Sequence, residues 1–272
     1  MRIAVVTPYY KEPSDWLSTC LESVRAQDVD CTHILVADGH ARDDLPEADP
    51  RLVHMRLPRA HADYGDTPRT LGALSAVTLG FDAIAFLDAD NWYYPGHLST
   101  MARLAAEHGV CVVTASRELY TREGVLMYED DFSDGKRHAD TSCYFLTRPA
   151  FRILPYWMLK PLWMGPIDDQ IFYTAIRGHN LPRHHHPEPT VGYRTPYQTH
   201  YEKAGLPLPP DVKNAHGIRA VFDRWREAPE GFKHAFGAWL GSGRWHPGDP
   251  VSHVLGRREA APSGAGAPPR EG

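Results

Sequence analysis

Short apolar runs alternate with amphipathic stretches along the first two thirds of this chain, and few architectures accept that pattern. Residues 3–7 form a short apolar run stopped by Pro8, which reads as a buried strand. Ser14 stands where it can cap a helix carrying Leu17, Leu21 and Val24 at i, i+4 and i+7. Residues 33–37 and the weaker 52–57 read as further strands. Thr67-Pro68 has the form of an N-cap followed by proline at the first helical position, opening a helix through Leu71, Leu74 and Val77 that stops near Gly80. Residues 83–87 and 110–115 are strands around a helix from about Pro95 to Gly109, with Leu98, Met101, Leu104 and Ala105 inward. This order predicts an α/β fold with a mostly parallel central sheet flanked by helices. In such sheets ligands bind beyond the carboxyl ends of the strands, where Asp38 and Asp88 to Asp90 fall.

Beyond residue 116 the pattern changes. Residues 117–120 and 125–128 flank a Thr-Arg-Glu-Gly turn and suggest a hairpin, 142–147 a strand, and 168–177 a helix closed by Gly178. A Pro-rich stretch from Pro207 leads into an amphipathic segment over 218–240 carrying Phe222, Trp225, Phe232, Phe236 and Trp239. So many aromatics predict an extension that packs on the main domain or on a partner subunit of a homo-oligomer. The expected division is a domain over 1–206, a helical extension over 207–258, and a disordered Ala/Gly/Pro-rich tail over 259–272.

Composition removes several functions. The net charge is −5, so no basic face is expected for nucleic acid. No run approaches the roughly 18 apolar residues of a membrane span, and the apolar stretch at the N-terminus is too short for a signal peptide. Cys20, Cys31, Cys111 and Cys143 form no CxxC pair and no zinc spacing. Buried free thiols in a reducing compartment and a soluble cytoplasmic protein are the expectations.

Two acidic motifs carry chemistry. In Phe86-Leu87-Asp88-Ala89-Asp90-Asn91 a pair of carboxylates follows an apolar strand where it breaks into a loop. Such a pair can hold a divalent ion that also binds diphosphate oxygens and stabilises a leaving group. It can equally be a solvated turn capped by Asn91. Asp168-Asp169 opens a helix, where the helix N-terminus stabilises carboxylates in any case. The same position suits a general base that takes a proton from an attacking hydroxyl. The run His184-His185-His186 lies between the helix ending at Gly178 and a predicted strand, and alternation there sends neighbours to opposite faces and keeps the three from easily sharing one ion.

Five segments, in order, resemble the family 2 glycosyltransferases. Val6-Thr7-Pro8-Tyr9-Tyr10-Lys11-Glu12 with Leu21-Glu22-Ser23-Val24-Arg25-Ala26-Gln27 is similar to the family's opening, and Val36-Ala37-Asp38-Gly39 to its second-strand end. Thr67-Pro68-Arg69-Thr70-Leu71-Gly72 resembles its arginine-bearing helix, 86–90 its Asp-x-Asp motif, and Ile167-Asp168-Asp169-Gln170 its acidic motif before a helix. The resemblance covers about residues 1–200 and implies a GT-A fold, a nucleotide-sugar donor (commonly a UDP-sugar) and a Mn²⁺ or Mg²⁺ cofactor. It implies nucleotide contacts at Thr7, Pro8, Tyr9, Asp38, Arg69 and Asp88, and metal ligation by Asp90 and Asp88. Asp169 would be the base of an inverting transfer, with Asp168 the fallback.

The sequence departs from the family pattern in two places. Asp168 stands where glutamate is usual. Arg194 lies near the place of a metal-binding histidine, for which His200 is the substitute; Arg194 itself suits diphosphate oxygens. Trp92 and Trp163 flank the two acidic motifs and are candidates for acceptor contact or for core packing. The acceptor stays open among a glycan precursor, a natural product and a peptide. A sugar-phosphate nucleotidyltransferase is the competing enzyme, although Pro8-Tyr9-Tyr10-Lys11-Glu12 lacks the glycines of a phosphate loop. A nucleotide-sugar-binding module without turnover is the competing non-enzyme.

Overall fold

A computed structural model describes residues 1–45, 49–136, 138–214, 216–243 and 245–247. The expected tail over 259–272 lies outside the described residues.

The strands are β1 (Ile3–Tyr9), β2 (Cys31–Ala37), β3 (Leu52–Arg56), β4 (Ala83–Phe86), β5 (Trp92–Tyr93), β6 (Val112–Tyr120), β7 (Leu126–Glu129), β8 (Tyr144–Thr147) and β9 (Arg183–Arg194). They form one sheet in the order β3-β2-β1-β4-β8-β6-β9-β5, with β7 paired to β6. The parallel character expected from the sequence holds for β3-β2-β1-β4 and for β6 with β9. It ends where β8 inserts antiparallel between β4 and β6, and β5 and β7 also pair antiparallel. The sheet is therefore mixed, and only its N-terminal half is the continuous parallel layer that alternation predicts.

Helices α1 (Ser14–Arg25), α2 (Asp66–Thr78), α3 (His97–His108) and α4 (Asp168–Gly178) cover the sheet. Burial on both faces explains why β1 reads as an unbroken apolar run rather than an alternating one. Ala4 and Val6 point to the layer holding Ala73, Ala76 and Phe172, whereas Ile3 and Val5 point to the layer holding Cys20, Val24, Leu98 and Met101. All four cysteines are buried free thiols.

Helix α2 differs from expectation. Leu74 and Val77 are exposed, and the buried face runs through Arg69, Gly72, Ala73 and Ala76. Gly72 lets the helix touch the sheet: a Cβ there would stand 2.7 Å from Val6 Cγ1 and 2.9 Å from Val36 Cγ2. Nor does Thr67 cap the helix. The cap position is Gly65 at φ 83°, and Asp63 accepts from the Thr67 amide at 3.0 Å and from its hydroxyl at 2.5 Å. The left-handed backbone at Gly65 starts the helix two residues earlier than the Thr-Pro signal suggests.

Helix α5 (Gln198–Ala204) follows β9, and the amphipathic C-terminal segment is two helices, α6 (His216–Glu227) and α7 (Glu230–Trp239), divided at Pro229. Ile218, Val221, Trp225, Phe236 and Leu240 bury themselves against Met164, Ile167, Ile171 and Ala175. The extension thus covers the outer side of α4, the helix that opens with Asp168. Among the described residues no helix is long and apolar enough to cross a membrane.

Candidate active site

The carboxyl ends of β1, β2 and β4 open into a cavity of about 470 Å³. Pro8, Tyr9, Asp38, Arg69, Asp88, Asp90, Asp168 and Asp169 all line it. Loops beyond parallel strands carry such sites because the strands diverge there and leave a crevice.

The Asp-x-Asp turn is braced from two sides. Ser142 Oγ accepts from the Asp88 amide at 3.1 Å and from Asn91 Nδ2 at 3.0 Å. Asn91 Oδ1 accepts from the Arg194 amide at 3.0 Å, and an Arg194 terminal nitrogen donates to the Asp90 carbonyl at 2.8 Å. Asn91 is fully buried and holds the turn to β9 rather than capping a solvated loop. The Asp90 carboxyl is pushed up to about 7, first by burial and then by the charges of Asp88 and Glu12, with Lys213 opposing.

Arg69 is the electrostatic centre. Its guanidinium is 3 % exposed and lies 2.8 Å from Asp88, 3.4 Å from Asp66 and 3.8 Å from Asp168. It also stands 4.9 Å over the Trp157 ring. Lys160, buried, donates to Asp66 and to the Trp157 carbonyl. Two buried cations therefore answer three carboxylates, which is how a low-dielectric interior tolerates charge.

The acidic pair at the start of α4 is split in role by its surroundings. Asp168 Oδ1 accepts from the Asp169 amide at 2.7 Å. Burial, reinforced by Asp66 and Asp169, raises the Asp168 pKa well above the usual carboxylate range despite Lys160 and Arg69. Asp169 is the opposite case. Burial works to raise its pKa, but the charge and hydrogen bond of His138 outweigh it and the net direction is down. His138 Nε2 lies 2.6 Å from Asp169 Oδ2, and the Gln170 amide donates to Oδ1 at 2.7 Å. Burial in turn lowers His138, Asp169 more than restores it, and the imidazole ends raised. Behind His138, buried Arg117 pairs with Asp130 at 2.8 Å and with Asp140.

This pair has a pH signature. Asp169's contribution is present above its ordinary pKa of about 4 and fades as pH falls through the lower native value. His138's contribution is present below about 6.5 and is lost as pH rises through the raised native value. Together they stabilise most between about pH 4 and 6.5. Thermal unfolding of His138→Gln across pH 5 to 9 is expected to show a flatter decline above pH 6.5 than the parent; an unchanged slope would remove the pair from the titration.

Several sequence candidates lie elsewhere. The Thr7 hydroxyl is fully buried and bonded to His33 Nε2 at 2.8 Å, and it does not line the cavity. His200 is bonded to Thr195 at 2.6 Å and does not line the cavity; burial and Arg117 lower its pKa to about 4. Among the described residues no group of three His, Cys, Asp or Glu side chains is arranged around a common metal position. Trp92 packs on Tyr120 and against Gly192 of β9. Trp163 packs on Phe232 and Arg224 of the C-terminal helices. Neither tryptophan lines the cavity. Asp38 does line it, but its carboxylate accepts from the His61 amide at 3.1 Å and from Nδ1 at 2.6 Å. In the histidine run, His184 stacks on His108 and His185 bonds Thr114 and Ser116, as opposed faces require.

Nothing in the sequence marks His138, Lys160, Arg117 or Asp140 as site residues, and Asp66 reads there only as support for a Thr67 cap. A lone charged residue, whether in a loop as His138 and Lys160 or in a strand as Arg117, looks solvated until tertiary structure buries it.

Residues 4–160 match the model of the family described as Glycosyl transferase family 2. The succinoglycan biosynthesis protein ExoW of Rhizobium meliloti (strain 1021) is 30% identical over 136 residues, which is 46% of this chain and 41% of that relative. The matched stretch thus spans well under half of the relative's length. Among solved structures, S. aureus TarS 1-349 in complex with UDP superposes with a TM-score of 0.55 at 14% identity, covering 88% of this chain and 70% of that one. The mannosyltransferase PcManGT from Pyrobaculum calidifontis, in complex with GDP-Man and Mn²⁺, gives 0.54 at 15% identity over 88% of this chain and 68% of that one.

Proposed function

The chain belongs to glycosyltransferase family 2 and has the GT-A fold, and from that premise we propose that it moves a sugar from a nucleotide-diphosphate donor, a UDP-sugar, to an acceptor hydroxyl by a single inverting displacement. One observation carries this reading. Asp88 and Asp90 from the turn after β4, Arg69 from α2, and Asp168 and Asp169 from α4 converge on one cavity of about 470 Å³. That volume suits a ligand of nucleotide-sugar size.

Pro8, Tyr9 and Asp38 form the end of the cavity that takes the nucleoside. Asp169 is ionised and partly open to the cavity, so it can accept the acceptor's proton. The acceptor oxygen bonds to the anomeric carbon as the bond from that carbon to the diphosphate oxygen breaks. His138 holds one Asp169 oxygen in place during that transfer. Asp168, whose pKa burial raises, holds the helix start against Arg69. Positioning and fixed charge supply most of the acceleration.

Asp90 and Asp88 fit a Mn²⁺ or Mg²⁺ ion. They are hard oxygen donors, and the burial and like charges of Asp88 and Glu12 that raise Asp90 are what a bound cation would relieve. Ions of this type are commonly held by one or two carboxylates plus substrate phosphates, which agrees with the lack of a third protein ligand among the described residues. When bound, the ion supplies Lewis-acid stabilisation of the departing diphosphate.

Release of nucleoside diphosphate from UDP-glucose and UDP-GlcNAc, with Mn²⁺ and with EDTA, tests the reading. Metal-dependent release is expected. No release from any UDP-, GDP- or dTDP-sugar would leave a binding module without turnover.

A further inference from the structure

A groove of about 270 Å³ adjoins the cavity and shares Tyr10, Glu12, Asp90, Pro196 and Lys213 with it. Its own walls add Lys11, Trp16, Arg122 and Arg194. Four cations therefore face two carboxylates, in a chain whose net charge is −5.

The cations are unevenly committed. Arg122 donates to Asp211. Arg194 spends one terminal nitrogen on the Asp90 carbonyl, and its guanidinium lies 5.4 Å from the Trp16 ring and 4.7 Å from the Trp92 ring. Its Nε has no hydrogen-bond partner. Lys11 rests 4.9 Å over the Tyr10 ring, and among the described residues neither Lys11 nor Lys213 has an ion pair. Glu12, one of the two carboxylates, is turned back to accept from the Tyr10 amide at 2.6 Å. Cations clamped by aromatic faces, with charge left over, form a surface for an anion.

We propose that this groove binds an anionic group of the acceptor, a phosphate or a carboxylate, and so delivers the acceptor to the Asp90 side of the cavity. The acceptor assignment rests on the donor reading above; the anion site rests on the groove alone. The groove adds its own basic and aromatic lining to the five residues it shares with the larger cavity, and Asp90 lines both.

The test is tryptophan fluorescence, with Trp16→Phe identifying the reporter. Glycerol 3-phosphate, glycerate and glycerol are titrated in the absence of nucleotide and with saturating UDP. The anions are expected to bind at least about tenfold more tightly than glycerol, the worth of a charge-assisted contact. The phosphate and glycerate arms decide which anion is preferred. Lys213→Gln and Lys11→Gln, both at exposed positions, are each expected to weaken anion binding about three- to tenfold. Binding should persist when UDP is bound. Displacement of the anion by UDP would overturn the proposal and assign the groove to the donor diphosphate. Equal binding of glycerol and its charged counterparts would also overturn it. A protein that binds UDP but no anion sinks this proposal alone. A protein that binds the anion but no nucleoside diphosphate sinks the donor reading, and the acceptor role with it.

Discussion

Asp169→Asn is expected to lower sugar transfer by about a thousandfold while donor affinity is kept, because positioned general bases commonly contribute between a hundredfold and ten-thousandfold. The asparagine keeps the size of the side chain and an oxygen for His138 but cannot take the acceptor's proton. The neighbouring Asp168→Asn is the contrast. Burial favours the neutral acid at Asp168, to which the amide is close to isosteric, so the loss should stay under about tenfold. Steady-state rates of nucleoside diphosphate release with acceptor present separate the two. Near-parent turnover in Asp169→Asn would move the base to another group.

The second large effect is structural. Arg69→Met removes the cation between Asp66, Asp88 and Asp168 and leaves Lys160 to answer all three. Breaking a buried charge network from one side costs about 3–5 kcal/mol, since the abandoned carboxylates stay desolvated. For a chain of this size that lowers the unfolding midpoint by about 10 °C. Some carboxylates will take up protons in response, so the loss should be smaller at pH 5 than at pH 8. A midpoint within 2 °C of the parent at pH 8 would show that the network is not strained by the loss.

The residues that converge on the cavity were legible because each sits at the end of an apolar run or at the start of a helix. Asp38 follows β2, Asp88 and Asp90 follow β4, and Asp168 opens α4. Strand ends and helix starts are local features, and hydrophobic periodicity reveals them. Position in the sheet is not local. Nothing in residues 144–147 says that they run antiparallel between β4 and β6, because that pairing depends on how the chain returns from β6 and β7. Burial of charge was hidden for the same reason. His138 and Lys160 lie in stretches without periodicity, yet they set the ionisation of Asp169 and the neutralisation of Asp66. The sequence leaves Trp92 and Trp163 open between acceptor contact and core packing. Trp92 and Trp163 stand next to the acidic motifs in sequence, but β9 and the C-terminal helices draw their side chains away from the cavity.

Thermal unfolding with UDP, GDP, dTDP and CDP, each with Mn²⁺ and with EDTA, tests the nucleotide-sugar site most directly. A ligand at 100 times its dissociation constant adds about 2.7 kcal/mol of stability, which moves the midpoint of a chain this size by roughly 5–10 °C. The site described here predicts such a shift with UDP, dependent on Mn²⁺ and absent in Asp90→Ala. No shift with any of the four nucleotides, or an equal shift in Asp90→Ala, would contradict it.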